Sequence, residues 1–123
     1  MNVAGAAMKR DMDLLRDILM RVEEQPVNQP WPAQPLLGYS LEEVVYHVKL
    51  AMDASLVDGR IAPGDHHAMV LRLTNGGHEF LEAARSDTIW EKAKALALST
   101  TGTLTLEALK LALAKVIAHM FKP

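Results

Sequence analysis

The feature that most constrains the fold lies between Ala54 and Leu81, where two short apolar runs are separated by turn residues. A helix ends in Leu56-Val57, the first extended run continues to Ile61, and the second, Met-Val-Leu-Arg-Leu, ends just before Thr74. Such runs predict the strands of a β-hairpin, and Thr74 is typical of a helix start. A helix, a hairpin and another helix follow one another in this way in a winged helix. We therefore predict a mainly α protein with a small β-hairpin, in which a winged helix-turn-helix-like body precedes C-terminal helices.

The length and composition of the chain fit one compact domain, because half of its 123 residues are apolar. The absence of cysteine excludes disulfides, thiolate metal sites and cysteine nucleophiles. The first residues lack a signal-peptide pattern, and lysines interrupt the longest apolar helix, so we expect a cytoplasmic protein without a membrane partner. The formal net charge of −2 provides no general positive field for a nucleic acid.

Apolar residues at spacings of three and four predict a first helix that ends near Glu24. Its opposite face alternates acidic and basic side chains, which is typical of a solvated surface. We predict a flexible N-terminal tail over residues 1–7 and a winged-helix-like domain over residues 8–86. The apolar face of the first helix comprises Met8, Met12, Leu15, Ile18, Leu19 and Val22.

The start of the second helix is the best-defined boundary in the sequence, because Ser40 and Glu43 have the spacing of a capping box. In a winged helix this helix would occupy the place of the recognition helix. Its exposed face carries more acids than lysines, which makes a poor surface for phosphates. The preceding segment, residues 25–35, holds four prolines around Trp31 and predicts a loop.

Several separate segments resemble one small family. They are Met-Lys-Arg-Asp-Met-Asp-Leu-Leu-Arg at residues 8–16, Tyr-His-Val-Lys-Leu at residues 46–50, and Leu-Thr-Asn-Gly-Gly-His-Glu-Phe-Leu at residues 73–81, with Thr-Ile-Trp at residues 88–90. Together they resemble the domain of unknown function 2513 family, short bacterial and phage proteins usually assigned to the winged-helix group. The resemblance implies a fold and a phage or prophage context, but no reaction, ligand or catalytic residue. The chain departs from the family pattern at Asn75-Gly76, where a large aromatic residue is expected.

Five histidines raise the question of a metal or acid–base site. His66 and His67 are neighbours on a turn and point in different directions, so they do not converge on one ion. For His47 and His78 we expect partly buried rings that are hydrogen-bonded to backbone carbonyls, rather than metal ligands or general bases. The histidine pattern therefore predicts no metal site.

A catalytic site would need a nucleophile beside a base, paired carboxylates or a phosphate cradle. The nearest candidate is Gly76-Gly77, which follows a strand and opens a helix but lacks the lysine of a P-loop. We interpret these glycines as allowing close packing of the helix. The sequence thus predicts that the protein is not an enzyme and that it has neither catalytic residues nor a cofactor.

The last helix is almost entirely apolar between Thr105, its predicted cap, and Phe121. Its polar stripe is too narrow for a helix on the surface of one small domain. Either it is enclosed by the core of its own chain, or it packs against its copy in another chain, which we favour. We therefore predict that residues 87–123 form a helical C-terminal extension that supports a homo-oligomer, a dimer. The expected interface residues are Leu109, Leu113, Val116 and Met120.

Two functions from different classes follow from these features. In the first, the protein is a DNA-binding regulator of bacterial or phage origin. It would contact double-stranded DNA through the second helix and the hairpin. In the second, the fold serves as a protein–protein interaction module, an adaptor or inhibitor that binds a protein partner and no nucleic acid. The frequency of DNA binding among winged helices favours the first function, and the acidic second helix favours the second. The expected DNA-binding residues are Tyr46, Lys49, Arg60 and Arg72.

Overall fold

The computed structural model describes residues 8–121, so the tail predicted for residues 1–7 and the last two residues of the predicted extension lie outside the described residues. The described part is mainly helical with one small antiparallel sheet, which confirms the predicted fold class at that level. None of the described helices is long and apolar enough to span a membrane. The elements are α1 Met12–Glu23, β1 Trp31–Pro32, α2 Leu41–Asp53, β2 Val57–Ile61, β3 Ala68–Leu73, α3 Asn75–Ala84, α4 Asp87–Thr101 and α5 Leu106–Met120.

Side-chain caps set the starts of the first two helices. Asp11 caps α1, because its carboxylate accepts hydrogen bonds from the backbone N–H groups of Asp13 and Leu14 at 2.9 and 3.1 Å. Met8 therefore lies before the helix and is exposed, contrary to its predicted place on the apolar face. The remaining predicted apolar residues of α1 are buried. The capping box of Ser40 and Glu43 at the start of α2 is confirmed in both directions.

The sheet has the strand order β1-β3-β2, and both neighbouring pairs are antiparallel. Its third strand, β1, lies in the proline-rich segment that we predicted to be a loop. Trp31 pairs with Val70, and Pro32 pairs with Met69. Proline is tolerated there because β1 is an edge strand. Pairing with β3 also buries Trp31, which is only 4% exposed.

A β-bulge decides which residues of β3 face solvent. Ala68 and Val70 are buried and alternate with exposed neighbours, as in a regular strand. A register shift in the β2–β3 ladder then leaves Leu71 without a directly paired residue. The extra residue reverses the alternation. Leu73 therefore points to the buried face and Arg72 to the exposed one.

The described chain forms two compact units, residues 8–77 and residues 78–121. In the first unit α1 packs against β3 and α2 packs against β2, so one face of the sheet is covered by helices. In the second unit α4 packs against α5. The predicted cap Thr105 is confirmed, since its hydroxyl accepts a hydrogen bond from the N–H of Ala108 at 3.0 Å. The division between the units falls inside α3, earlier than the predicted boundary between residues 86 and 87.

Candidate binding surfaces

The tip of the β2–β3 hairpin is tied to α2 by an ion pair. Lys49 on α2 lies 2.8 Å from Asp65, measured from Nζ to Oδ2, and Asp65 belongs to the 3-10 turn at the tip. We predicted Lys49 to contact DNA phosphates. In this structure its positive charge is balanced by a carboxylate of the same chain.

The two hairpin arginines differ in their surroundings. Arg72 lies 2.8 Å from the Asp58 carboxylate on the neighbouring strand and also donates to the carbonyl of Leu73 at 3.3 Å. Arg60 is exposed opposite Met69, and its side chain forms no hydrogen bond or ion pair with any described residue. Of the three basic residues predicted to contact DNA, two are therefore already paired with an acid.

The solvent-facing surface of α2 is small and acidic. The structure describes every residue of this helix, and only Glu42 and Asp53 are exposed. Tyr46 is half-buried, and its ring meets the ring of His47 edge-on at 5.8 Å between centroids. The exposed residues of this helix therefore repel phosphates, and neither of them is basic.

The four predicted DNA-binding residues lie on two different surfaces. Tyr46 and Lys49 line a groove of about 300 Å³ between α2 and the hairpin tip, together with Asp65. Arg60 and Arg72 lie instead on the exposed face of the sheet, away from the helices that cover the other face. The structure thus joins each pair but does not bring all four residues to one surface.

A partly buried hydrogen-bond network joins the start of α1 to α2. His47 is 3% exposed, and its Nε2 accepts a hydrogen bond from the N–H of Asp11 at 2.8 Å. Its Nδ1 must then carry the proton, which it donates to the carbonyl of Glu43 at 2.8 Å. The expected bond from His47 to a backbone carbonyl is confirmed. Because both ring nitrogens are engaged, His47 is unsuited to bind a metal or act as a base while this network holds.

Tyr39 extends this network, which the sequence pattern did not reveal. Its hydroxyl donates to Oδ2 of Asp11 at 2.7 Å. Burial, followed by the hydrogen bond and the negative charge of Asp11, raises the pKa of Tyr39 to about 12. A polar residue just before a helix cap is a weak sequence signal, because its partner is 28 residues away in the chain.

The other histidines and the glycines lie in different surroundings from His47. His78 is exposed rather than partly buried as predicted, and within the described residues no group of three or more His, Cys, Asp or Glu side chains could hold a metal ion. A Cβ on Gly77 would lie 2.0 Å from the carbonyl oxygen of Leu56, so glycine is required there for close packing, as interpreted. The Gly77 N–H donates to the Thr74 hydroxyl at 3.0 Å and is not directed at an anion.

The four predicted interface residues of α5 divide into two pairs. Leu109 and Leu113 are 0% and 1% exposed within their own chain. They are therefore not available to a second subunit, which corrects our prediction for these two residues, because the packing of α4 and α5 has already removed them from water. Val116 is half-buried and Met120 is 63% exposed, so the oligomer contact stays a prediction for that pair.

Val116 and Met120 form part of an open groove of about 310 Å³ between α4 and α5. Basic side chains stand beside this apolar floor, with Lys92 on α4 and Lys115 and His119 on α5. Our sequence reasoning missed this surface. A signal existed in the basic residues spaced by four beside the apolar stripe of α5, but the contribution of α4 depends on tertiary packing.

Comparisons with known proteins identify a family and a relative of this chain. The family model described as "Hypothetical protein (DUF2513)" matches residues 9–103. A Haemophilus influenzae (strain ATCC 51907 / DSM 11121 / KW20 / Rd) protein described as "Uncharacterized protein" is 33% identical over 116 residues, which cover 92% of this chain and 98% of the relative. No solved structure matches the chain.

Proposed function

This chain belongs to the DUF2513 family, and we propose that it is a protein–protein interaction module on a winged-helix-like body. The observation that carries the proposal is the charge on the surface of α2, which would be the recognition helix if the protein bound DNA. It exposes only Glu42 and Asp53, both negatively charged. Its lysine, Lys49, is held by Asp65 of the hairpin. Because affinity for DNA depends on unpaired cations facing phosphates, these features favour a protein partner.

The arrangement of the elements supports the comparison with winged helices. A strand order of β1-β3-β2, with α1 before β1 and α2 before β2, matches a winged helix in which the hairpin forms the wing. The segment between β1 and α2 differs, since residues 33–40 contain a bridge between Leu36 and Tyr39 rather than a helix. A helix-turn-helix uses that additional helix to cross the DNA backbone. Its replacement by a turn favours the module over the regulator.

A DNA-binding regulator is the second candidate, and Arg60 is the observation that favours it. The side chain of this arginine is exposed on the hairpin and has no partner among the described residues. Lys9 and Arg10 are also exposed, just before α1. For either function we propose a bacterial or phage origin, on the strength of the Haemophilus influenzae relative.

A salt-dependent titration separates the two candidates. Fluorescence anisotropy with a labelled random-sequence duplex of about 30 base pairs would be measured from about 20 to 200 mM salt, because phosphate contacts make DNA affinity fall steeply with salt. We expect no salt-sensitive binding, either for the parent or for Asp65→Asn, which frees Lys49. Binding that is salt-sensitive and weakened by Lys49→Ala with Arg60→Ala would establish the regulator instead.

A positive test identifies the class of partner in cells. The tagged full-length chain would be cross-linked in the organism that encodes it, purified with and without nuclease treatment, and analysed by quantitative mass spectrometry. We expect one or a few proteins to be enriched relative to a tagged control protein of similar size. Their enrichment should be the same with and without nuclease. Enrichment that disappears with nuclease, or the absence of any enriched protein, would contradict the interaction module.

A further inference from the structure

The apolar stripe of α5 is covered over only half of its length. Leu109, Leu113, Val116 and Met120 follow one another at spacings of four, three and four residues, so they lie in line along one face of the helix. The first two are fully buried, whereas Val116 is half-buried and Met120 is 63% exposed. The second half of the stripe is therefore an apolar floor that is open to solvent.

The side chains beside this floor are positively charged. Lys92 and Leu96 of α4 form one wall of the groove, and Lys115 and His119 of α5 form the other. Neither Lys92 nor Lys115 has an ion pair with a residue that the structure describes. No Asp or Glu follows Glu107 in the sequence. The groove thus combines apolar contact area with two lysines that form no ion pair with a described residue, in a chain whose net charge is negative.

A second copy of the chain would fit this groove poorly. A two-fold contact brings the same patch of both subunits together, so the basic side chains of both copies would gather around one apolar centre without added carboxylates. The acidic surface of α2 is no better as an occupant, because none of its large apolar side chains is exposed. Charge complementarity therefore favours a different protein that supplies both carboxylates and apolar side chains.

We propose that the α4–α5 groove docks an acidic amphipathic helix of a partner protein. The apolar residues of this helix, spaced by three and four, would cover Val116 and Met120. Its flanking Asp and Glu residues would meet Lys92, Lys115 and His119. This inference rests on the proposed function as an interaction module, and it adds the surface used and the chemistry of the partner.

The probe for this experiment is a phage-displayed library of random peptides, which is panned against the 123-residue chain. The peptides have about 16 residues, because partners that bind as a helix in a groove are recognised over a few helical turns. We expect the selected peptides to carry apolar residues at helical spacing with flanking Asp and Glu. Their affinity, measured by anisotropy on synthetic copies, should fall about tenfold or more for Lys92→Glu with Lys115→Glu. Lys110→Glu is the matched control, because Lys110 lies on α5 outside the groove and pairs with Glu107 at 3.9 Å.

Three results obtained with the purified protein would overturn the inference. The first is that panning selects no peptides, or selects peptides without acidic residues. The second is that the selected peptides bind the charge-reversed and control variants with equal affinity. The third is that the parent protein is a dimer and its Met120→Cys variant cross-links between the two copies. The first two remove the acidic partner, and the third shows a second copy in the groove. A cellular partner that still binds the Lys92→Glu, Lys115→Glu protein would reject the groove but leave the proposed function in place. If no protein partner exists at all, the proposed function itself fails.

Discussion

The helices α2 and α5 show two opposite fates of an amphipathic helix within one chain. α2 is largely covered by its own unit, and only two of its residues, both acidic, are exposed. The apolar stripe of α5 is buried at Leu109 and Leu113, whereas Met120 at its far end is 63% exposed. The difference shows that the apolar content of a helix does not reveal how much of its surface stays exposed. α5 buries part of its apolar stripe in its own unit and leaves the rest open to solvent.

The charged residues beside the two helices differ in the same way. Lys49 on α2 and Lys115 on α5 both line a groove of about 300 Å³. Lys49 is neutralised at 2.8 Å by Asp65, but Lys115 has no carboxylate partner among the described residues. A partner gains more from a cation that is not already paired, because it need not displace an internal acid.

The largest expected effect tests the division of the α5 stripe. Leu113→Ala should lower the free energy of unfolding by about 2–5 kcal/mol, because it deletes a fully buried side chain. Met120→Ala, on the same face but exposed, should change it by less than about 0.5 kcal/mol. Urea unfolding followed by circular dichroism measures both. Equal losses would show that the stripe is covered along its whole length and that the comparison with α2 fails.

The second prediction tests the close packing of the first unit. Gly77→Ala should cost about 1–3 kcal/mol, since its Cβ would collide with the backbone of Leu56 at 2.0 Å. Gly76→Ala is the neighbouring control, because its Cβ would meet nothing nearer than 3.7 Å. That control should be neutral or more stable than the parent by up to about 1 kcal/mol. A stable Gly77→Ala protein would mean that the start of α3 is not held against Leu56.

The third prediction concerns the polar network that helps to close α2. Removing the ring in His47→Ala leaves the partly buried N–H of Asp11 without its acceptor and should lower the free energy of unfolding by about 1–3 kcal/mol. His66→Ala, at the exposed hairpin tip, should stay within about 0.5 kcal/mol of the parent. Chemical denaturation of the two variants provides the comparison. Similar free energies of unfolding for the two variants would show that the network does not stabilise the packing of α2.

The smallest expected effect is a titration at alkaline pH. The pKa of Tyr39 in the folded chain is about 12, against an ordinary value of 10.0. Since the folded value is the higher one, the stability that it contributes is complete below about pH 10 and is lost as the pH rises toward 12. Phenolate absorbance in a Tyr46→Phe background reports Tyr39 alone. Asp11→Asn should lower the pKa of Tyr39, and an unchanged value would show that the hydroxyl is not bonded to Asp11.

Features encoded within a few residues could be predicted. The capping box at Ser40, the cap at Thr105 and the strands on either side of the hairpin turn all depend on short spacings, and all were found. The need for glycine at Gly77 was also inferred, because a glycine between a strand and a helix suggests a close approach of backbones. Of the candidate sites, the sequence indicated the basic residues, but it did not indicate which of them are paired.

By itself, the sequence determined the apolar faces and the helix starts, because helical spacing and capping are properties of neighbouring residues. Tertiary structure decided which charges remain available and how much of α5 is covered. Asp65 contacts Lys49 only when the tip of the hairpin lies beside α2. The bulge at Leu71 directs Arg72 to the exposed face only when β3 pairs with β2. These outcomes depend on distances between residues far apart in the chain, and such distances are set by packing rather than by any local pattern.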